Sequence, residues 1–257
     1  GSLENKGFEF TLNTVNISKK DFQWRSSLVF SLNRNKVLSL NTATAEVFKT
    51  YQYGGNDKQV TVTRPGYPIG QFYGYKVIGR INSAADLYDE NGNIKVALPE
   101  EGATGKPKAI NETNGIWVGD LLFEDVNEDG IINSDDQQII GNPLPKFTGG
   151  FGNTFSYKGF DLNMYFTFSY GNQVMNWLNL TINNPRDYTN NLLKDAALDY
   201  ARLGLIDPEG SSNNIYNVCV VSGKENMPRI SSNDLNENNR ISSNLIEDAS
   251  YIRLQTL

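Results

Sequence analysis

The chain alternates between apolar and polar positions. In "FDLNMYFTFSY", Phe160, Leu162, Met164, Phe166, Phe168 and Tyr170 take one side, and Asp161, Asn163, Tyr165, Thr167 and Ser169 take the other. A period of two marks a strand with two unlike faces. The preceding "FTGGFGNTFSY" sets Phe147, Phe151, Phe155 and Tyr157 against Thr148, Gly150, Gly152, Thr154 and Ser156. "FQWRSSLVFSL" sets Phe22, Trp24, Ser26, Leu28, Phe30 and Leu32 against Gln23, Arg25, Ser27, Val29 and Ser31. "FEFTLN" does the same with Phe8, Phe10 and Leu12, and "ASYIRLQTL" with Ile252 and Leu254.

These runs pair into hairpins. "FEFTLNTVNI" turns through "SKKD" into "FQWRSSLVFSLN", and "FTGGFGNTFSY" turns through "KG" into "FDLNMYFTFSY", with Gly159 free to take positive φ. Most runs are about 10 residues or a little longer, the length a tilted strand needs to cross a bilayer.

Two long, irregular stretches rich in Gly, Pro, Asn and Asp separate the hairpins, at 41–146 and 171–250. One helix is predicted inside the second, at "NNLLKDAALDYARLGL". There Leu192, Leu193, Ala196, Ala197 and Tyr200 fall at helical spacing, behind a cap at Thr189 or Asn190. Tight turns alternating with very long connections are uncommon in compact soluble domains. Outer-membrane barrels show that asymmetry, with short periplasmic turns and long extracellular loops.

A soluble sandwich alternates too. Here, however, large aromatics crowd the apolar rows and gather beside the tight turns, at Phe22, Trp24, Tyr157 and Phe160. Aromatic rings suit the boundary between bilayer and water. The expected fold is therefore all-β: part of an antiparallel transmembrane β-barrel, an open curved sheet of about five long strands. Its extracellular loops contain a short helix.

Composition narrows the chemistry. With 23 basic and 29 acidic residues the net charge is −6, and no basic cluster with interleaved aromatics offers a nucleic-acid surface. Histidine is absent, which removes the commonest general base, the Ser-His-Asp arrangement and most zinc sites. The single cysteine, Cys219, has no partner for a disulfide or a CxxC motif. No acidic pair stands out for glycoside hydrolysis. An enzyme is not expected. No apolar run approaches the roughly 18 residues of a membrane helix. No charged-then-apolar leader opens the chain, which reads as an internal piece of something longer.

One stretch invites a cation. In "DVNEDGIINSDD", Asp125, Asn127 and Asp129 fall at positions 1, 3 and 5 of an EF-hand-type loop, with Gly130 at the sharp turn. The Ile131 carbonyl, Asn133 and Asp136 complete it at positions 7, 9 and 12. Hard oxygen ligands at that spacing suit a structural calcium. The competing reading is an Asn/Asp/Gly turn with solvated carboxylates. "PGYPIGQFYGY" (65–75) reads as a packing segment or a sugar-stacking surface, and Trp117 and Trp177 as interface anchors or sugar platforms.

The stretch from Gly119 to Asn172, with its DxNxDG loop, "IGNPLPKF", "YKGFDL" turn and closing "GN", resembles the SusC/RagA family of TonB-linked outer-membrane transporters. "NKGFEFTLN" and "SYIRLQTL" match two further strands of that family in the expected order. The poorest match falls at 81–116 and 205–225. The resemblance implies that residues 1–257 form part of a TonB-dependent receptor barrel, with 41–146 and 171–250 as extracellular loops. A signal peptide, a plug domain and the terminal strands would lie outside this stretch. It further implies an outer membrane of Bacteroidota type, import of an oligosaccharide or peptide, TonB contacted through the missing N-terminal region, and a SusD-like lipoprotein lid. The alternative is a soluble, secreted, calcium-stabilised β-domain that binds carbohydrate.

Overall fold

The structure is a computed structural model that describes residues 1–41, 46–53, 56–181, 194–231 and 233–257. The chain divides into two compact units, one of residues 1–72, 141–175 and 246–257, the other of residues 73–140 and 176–245.

The first unit is built on one antiparallel sheet of five strands: β1 (Ser2–Ser18), β2 (Phe22–Ser39), β3 (Phe147–Tyr157), β4 (Phe160–Tyr170) and β5 (Tyr251–Thr256), ordered as numbered. Both expected hairpins are present, and β2 pairs with β3 to join them. The sheet does not close on itself, leaving β1 and β5 as edges. β1 and β2 run to 17 and 18 residues, longer than their alternation announces, because the polar ends of both strands keep pairing as far as Ser2 with Ser39.

The turns follow from backbone chemistry. Lys19 and Phe22 exchange backbone hydrogen bonds across the first. In the second, Lys158 has φ 48° and Gly159 φ 88°, so both central residues are left-handed, as the twist of a two-residue hairpin requires. Only the glycine of that pair shows in the sequence. A bulge between Val15 and Ile17 makes Asn16 the extra residue of β1.

The stretches read as irregular hold further structure. Val47–Tyr53 and Asn56–Thr63 form a hairpin in the first unit, and Gln71 and Phe72 of the 65–75 segment pair with it. The Tyr67 carbonyl accepts a backbone hydrogen bond from Val37, and its ring lies under the Arg64 guanidinium at 4.7 Å. The second unit has its own core, with Ile81, Leu87, Leu98, Ile116, Trp117, Val118 and Val218 buried together. Its strands are short, such as Val77–Arg80 on Leu121–Phe123 and the parallel pair Leu98–Pro99 on Ile131–Ile132. The predicted helix is present at Lys194–Asp199, with Tyr200 buried just beyond it. Leu192, Leu193, Thr189 and Asn190 lie outside the described residues.

Candidate functional site

The register of the five-stranded sheet turns separate apolar runs into one surface. Tyr157 pairs with Phe22 on one side and Phe160 on the other, so the rings beside the two tight turns form a single row. The next row holds Trp24, Phe155 and Leu162, with Trp24 stacked on Phe155 at 5.6 Å between ring centres. Farther along, Leu12, Leu28, Phe151, Phe166 and Leu254 span all five strands. Next to them stand Phe10, Phe30, Gly149, Phe168 and Ile252. Gly149 is glycine because the Phe168 ring and the Val29 carbonyl occupy the space a Cβ would fill.

That face is open. Phe160 is 80% exposed, Ile252 74% and Phe8 59%. A contiguous apolar face of this extent is what a soluble monomer avoids. It is what a barrel wall presents to lipid.

The opposite face carries Asn13, Arg25, Ser27, Thr154, Asn163 and Thr167, the polar row expected from the alternation. Tyr165 lies across Gly150 and Gly152, where a Cβ on either would meet its ring, so the tyrosine fills what the two glycines leave empty. A depression of about 540 Å³ opens beside it, lined by Asn13, Arg25, Ser27, Gly152, Thr154 and Asn163. Side chains of this kind suit a hydrated lumen.

The acidic loop belongs to the second unit. Asp125 accepts hydrogen bonds from the backbone of Asp129 (3.2 Å) and Gly130 (2.8 Å), and Asp129 accepts one from Ile131 (2.8 Å). Asp136 is fully buried and takes the backbone N–H of Val126 on one oxygen and of Asn133 on the other, each at 2.8 Å. Asn127 and Asn133 accept from the amides of Asp129 and Asp135. Glu128 at φ 61° and Gly130 at φ 83° are the left-handed positions that bend the chain. Burial pushes the Asp136 carboxyl above the usual carboxylate range, and the nearby charges of Asp125 and Asp129 push it the same way. All six positions named for calcium therefore lie on one self-capped loop. Among the described residues no three Asp, Glu, His or Cys side chains converge on a point that could hold a metal ion.

Other candidates resolve individually. Trp117 is 4% exposed in the core of the second unit, which removes it as a sugar platform or interface anchor. Trp177 and Cys219 are half-buried. One feature has no local signal in the sequence. Asp120 is fully buried and held by Arg229 through two contacts of 2.9 and 3.2 Å, by Asn238 at 3.1 Å and by the Trp117 amide at 2.9 Å. Burial still raises its carboxyl, and Arg229 offsets part of that. Arg229 and Asn238 lie more than 100 residues from Asp120 in sequence, so only the fold brings them to it.

No protein-family model matches the chain. It is 34% identical over 177 residues to the TonB-dependent receptor P3 of Formosa agariphila, and 35% over 176 residues to the TonB-dependent receptor P26 of the same organism. It is 28% identical over 178 residues to the TonB-dependent receptor SusC of Bacteroides thetaiotaomicron. These matches take in 69%, 68% and 68% of the chain but only 16%, 16% and 14% of the relatives, so the chain spans about one sixth of their length. Among solved structures, the RagAB peptide importer in its closed-closed state superposes with a TM-score of 0.58 at 18% identity. That match covers 99% of the chain and 22% of the importer, and it is a likeness of fold. The two-faced sheet and the kinship agree: the chain belongs to the SusC/RagA family of TonB-dependent receptors and is a stretch of their β-barrel.

Proposed function

We propose that this chain forms part of the wall of an outer-membrane importer in a Bacteroidota-type cell, energised through TonB and taking up an oligosaccharide or a peptide. The observation that carries the proposal is the two-faced sheet. Its aromatic surface is open where a soluble protein would bury it, and its reverse is polar. A SusD-like lipoprotein as lid follows from the kinship with SusC. The relatives named above are receptors and a transporter, which supports transport over catalysis.

The test is deletion of the gene for the whole receptor, followed by growth on single glycans and on peptides as sole nutrients. Loss of growth on one class, restored by the native gene, supports import and names the cargo. Recovery of the receptor from the soluble periplasmic or secreted fraction would favour the soluble carbohydrate-binding module instead.

The acidic loop is the structural part of the proposal. The charges of Asp125 and Asp129 both bear on the buried Asp136 carboxyl, an arrangement that a divalent cation would relieve. Calcium would draw them together with the oxygens of Asn127, Ile131 and Asn133, and would pin the loop ahead of β3. Isothermal titration of the whole receptor with calcium, against the Asp125→Ala variant, checks this. Heat of binding in the native protein only supports it, and equal traces exclude it.

A further inference from the structure

The apolar face is interrupted in one place. The third row in from the tight turns holds Thr14, Ser26 and Asn153, beside Met164, where the rows on either side are aromatic and aliphatic. Their side chains are linked. Trp24 donates to the Asn153 oxygen at 2.8 Å and Ser26 donates to the same oxygen at 2.7 Å. Asn16, the bulged residue, donates to the Ser26 hydroxyl at 2.6 Å and accepts from Thr14 at 2.8 Å. An indole N–H can only donate, so the contact with Trp24 fixes which end of the Asn153 amide is oxygen. Its nitrogen, with two N–H groups, has no hydrogen-bond partner among the described residues.

A second observation lies at the edge of the same face. Lys158 holds its ammonium 5.3 Å from the centre of the Tyr157 ring, which places it on the aromatic side of the sheet. Its backbone N–H donates to the Asp21 carbonyl at 3.2 Å, so the two tight turns adjoin, and Lys19 and Lys20 stand in the first. All three lysines are exposed, and among the described residues none forms an ion pair. Asp21 is the only carboxylate in either turn.

We propose that this end of the sheet binds an anionic phospholipid of the inner leaflet. The phosphate would lie among Lys19, Lys20 and Lys158. The glycerol ester carbonyls would accept from the Asn153 amide, and the acyl chains would run over Leu28, Phe151 and Leu12. The spacing allows it. Asn153 is four residues from Tyr157, about 13 Å along the strand and less in depth once the strand tilts. Lysine stems reach several ångströms toward the headgroup level. Charge complementarity favours an anionic headgroup over a zwitterionic one, by about fivefold for each lysine that engages. The inference rests on the reading that the apolar face meets lipid.

The test is native mass spectrometry of the whole receptor, loaded with equal phosphatidylglycerol and phosphatidylcholine. The expected result is preferential retention of phosphatidylglycerol, which falls to near parity in the triple Lys19→Gln, Lys20→Gln, Lys158→Gln variant. Asn153→Leu should lower retention of both lipids alike, because both carry ester carbonyls. An unchanged preference in the triple variant would overturn the proposal, as would displacement of the lipid by millimolar inorganic phosphate. A nitroxide at Phe166→Cys, in the middle of the apolar face, separates the two levels of failure. A label in water removes the lipid-facing reading itself, whereas a label in lipid without headgroup preference removes the lipid site alone.

Discussion

The guanidinium of Arg240 lies 4.5 Å from the centre of the Tyr75 ring and 4.6 Å from that of Phe123, the two rings meeting edge to face at 6.1 Å beside it. It also donates to the carbonyls of Asn236 and Glu237, both at 3.1 Å. A planar, weakly hydrated cation suits contact with two rings at once as an ammonium does not. Burial lowers the Arg240 pKa, with Glu237 the chief counterweight. We expect Arg240→Ala to cost about 2–4 kcal/mol, from the space left beside the rings and the loss of the side-chain donor to the Asn236 carbonyl. Arg240→Lys should cost roughly half as much. Pulse proteolysis of the receptor in increasing urea, read at cleavage within residues 73–140, measures both.

Tyr200 gives the second unit a limit at high pH. It is buried, and burial raises its phenol to about 12, with the Asp234 charge adding to the shift. A phenol raised in the folded state contributes its full stability below its ordinary value near 10 and loses it as pH climbs toward 12. The loss is roughly 2–3 kcal/mol. Tyr200→Phe should remove that part of the pH dependence between 10 and 12 while leaving stability at pH 7 within about 1 kcal/mol. Urea unfolding across that range tests the difference.

The acidic loop depends most on Asp136. Replacing it with alanine takes a charged acceptor from the Val126 and Asn133 amides, at a cost of about 1–3 kcal/mol for each. Hydrogen exchange at those two amides should accelerate in Asp136→Ala. It should change little in Asp135→Ala, whose carboxylate caps neither amide.

The sheet predicts opposite tolerances on its two faces. Phe166→Arg puts a charge in the middle of the apolar surface, where a barrel loses about 2–4 kcal/mol. Asn163→Arg puts the same charge on the polar face, where the cost should be within about 1 kcal/mol. The amount of heat-modifiable, folded receptor in outer membranes measures both: a large drop for the first and near-native levels for the second.

The part of this architecture that the sequence shows is the part with a period. Five strands, two hairpins and the aromatic rows come from alternation alone, because each strand has unlike faces and large rings leave no doubt which is which. The far ends of β1 and β2 are less visible, since polar residues such as Arg34 and Asn35 face polar partners there. The second unit is nearly silent. Ile81, Leu87, Ile116 and Val118 form a core from strands and turns too short to carry a period. The Asp120–Arg229 and Arg240–Tyr75 contacts join residues more than 100 positions apart, and no local rule reports such a pairing. The acidic loop was legible as a loop with the right spacing. That its oxygens close on its own amides is a matter of backbone geometry, which spacing does not contain.

Oxygen and nickel-chelate accessibility of nitroxide labels at Phe151→Cys and Thr154→Cys, placed singly in the whole receptor in native outer membranes, tests the central claim most directly. The two residues lie three positions apart on one strand and on opposite faces. The account predicts that the label at 151 meets oxygen and excludes the nickel chelate, while the label at 154 does the reverse. Two labels equally open to the chelate would show that the aromatic face is wet and that the sheet is not a barrel wall.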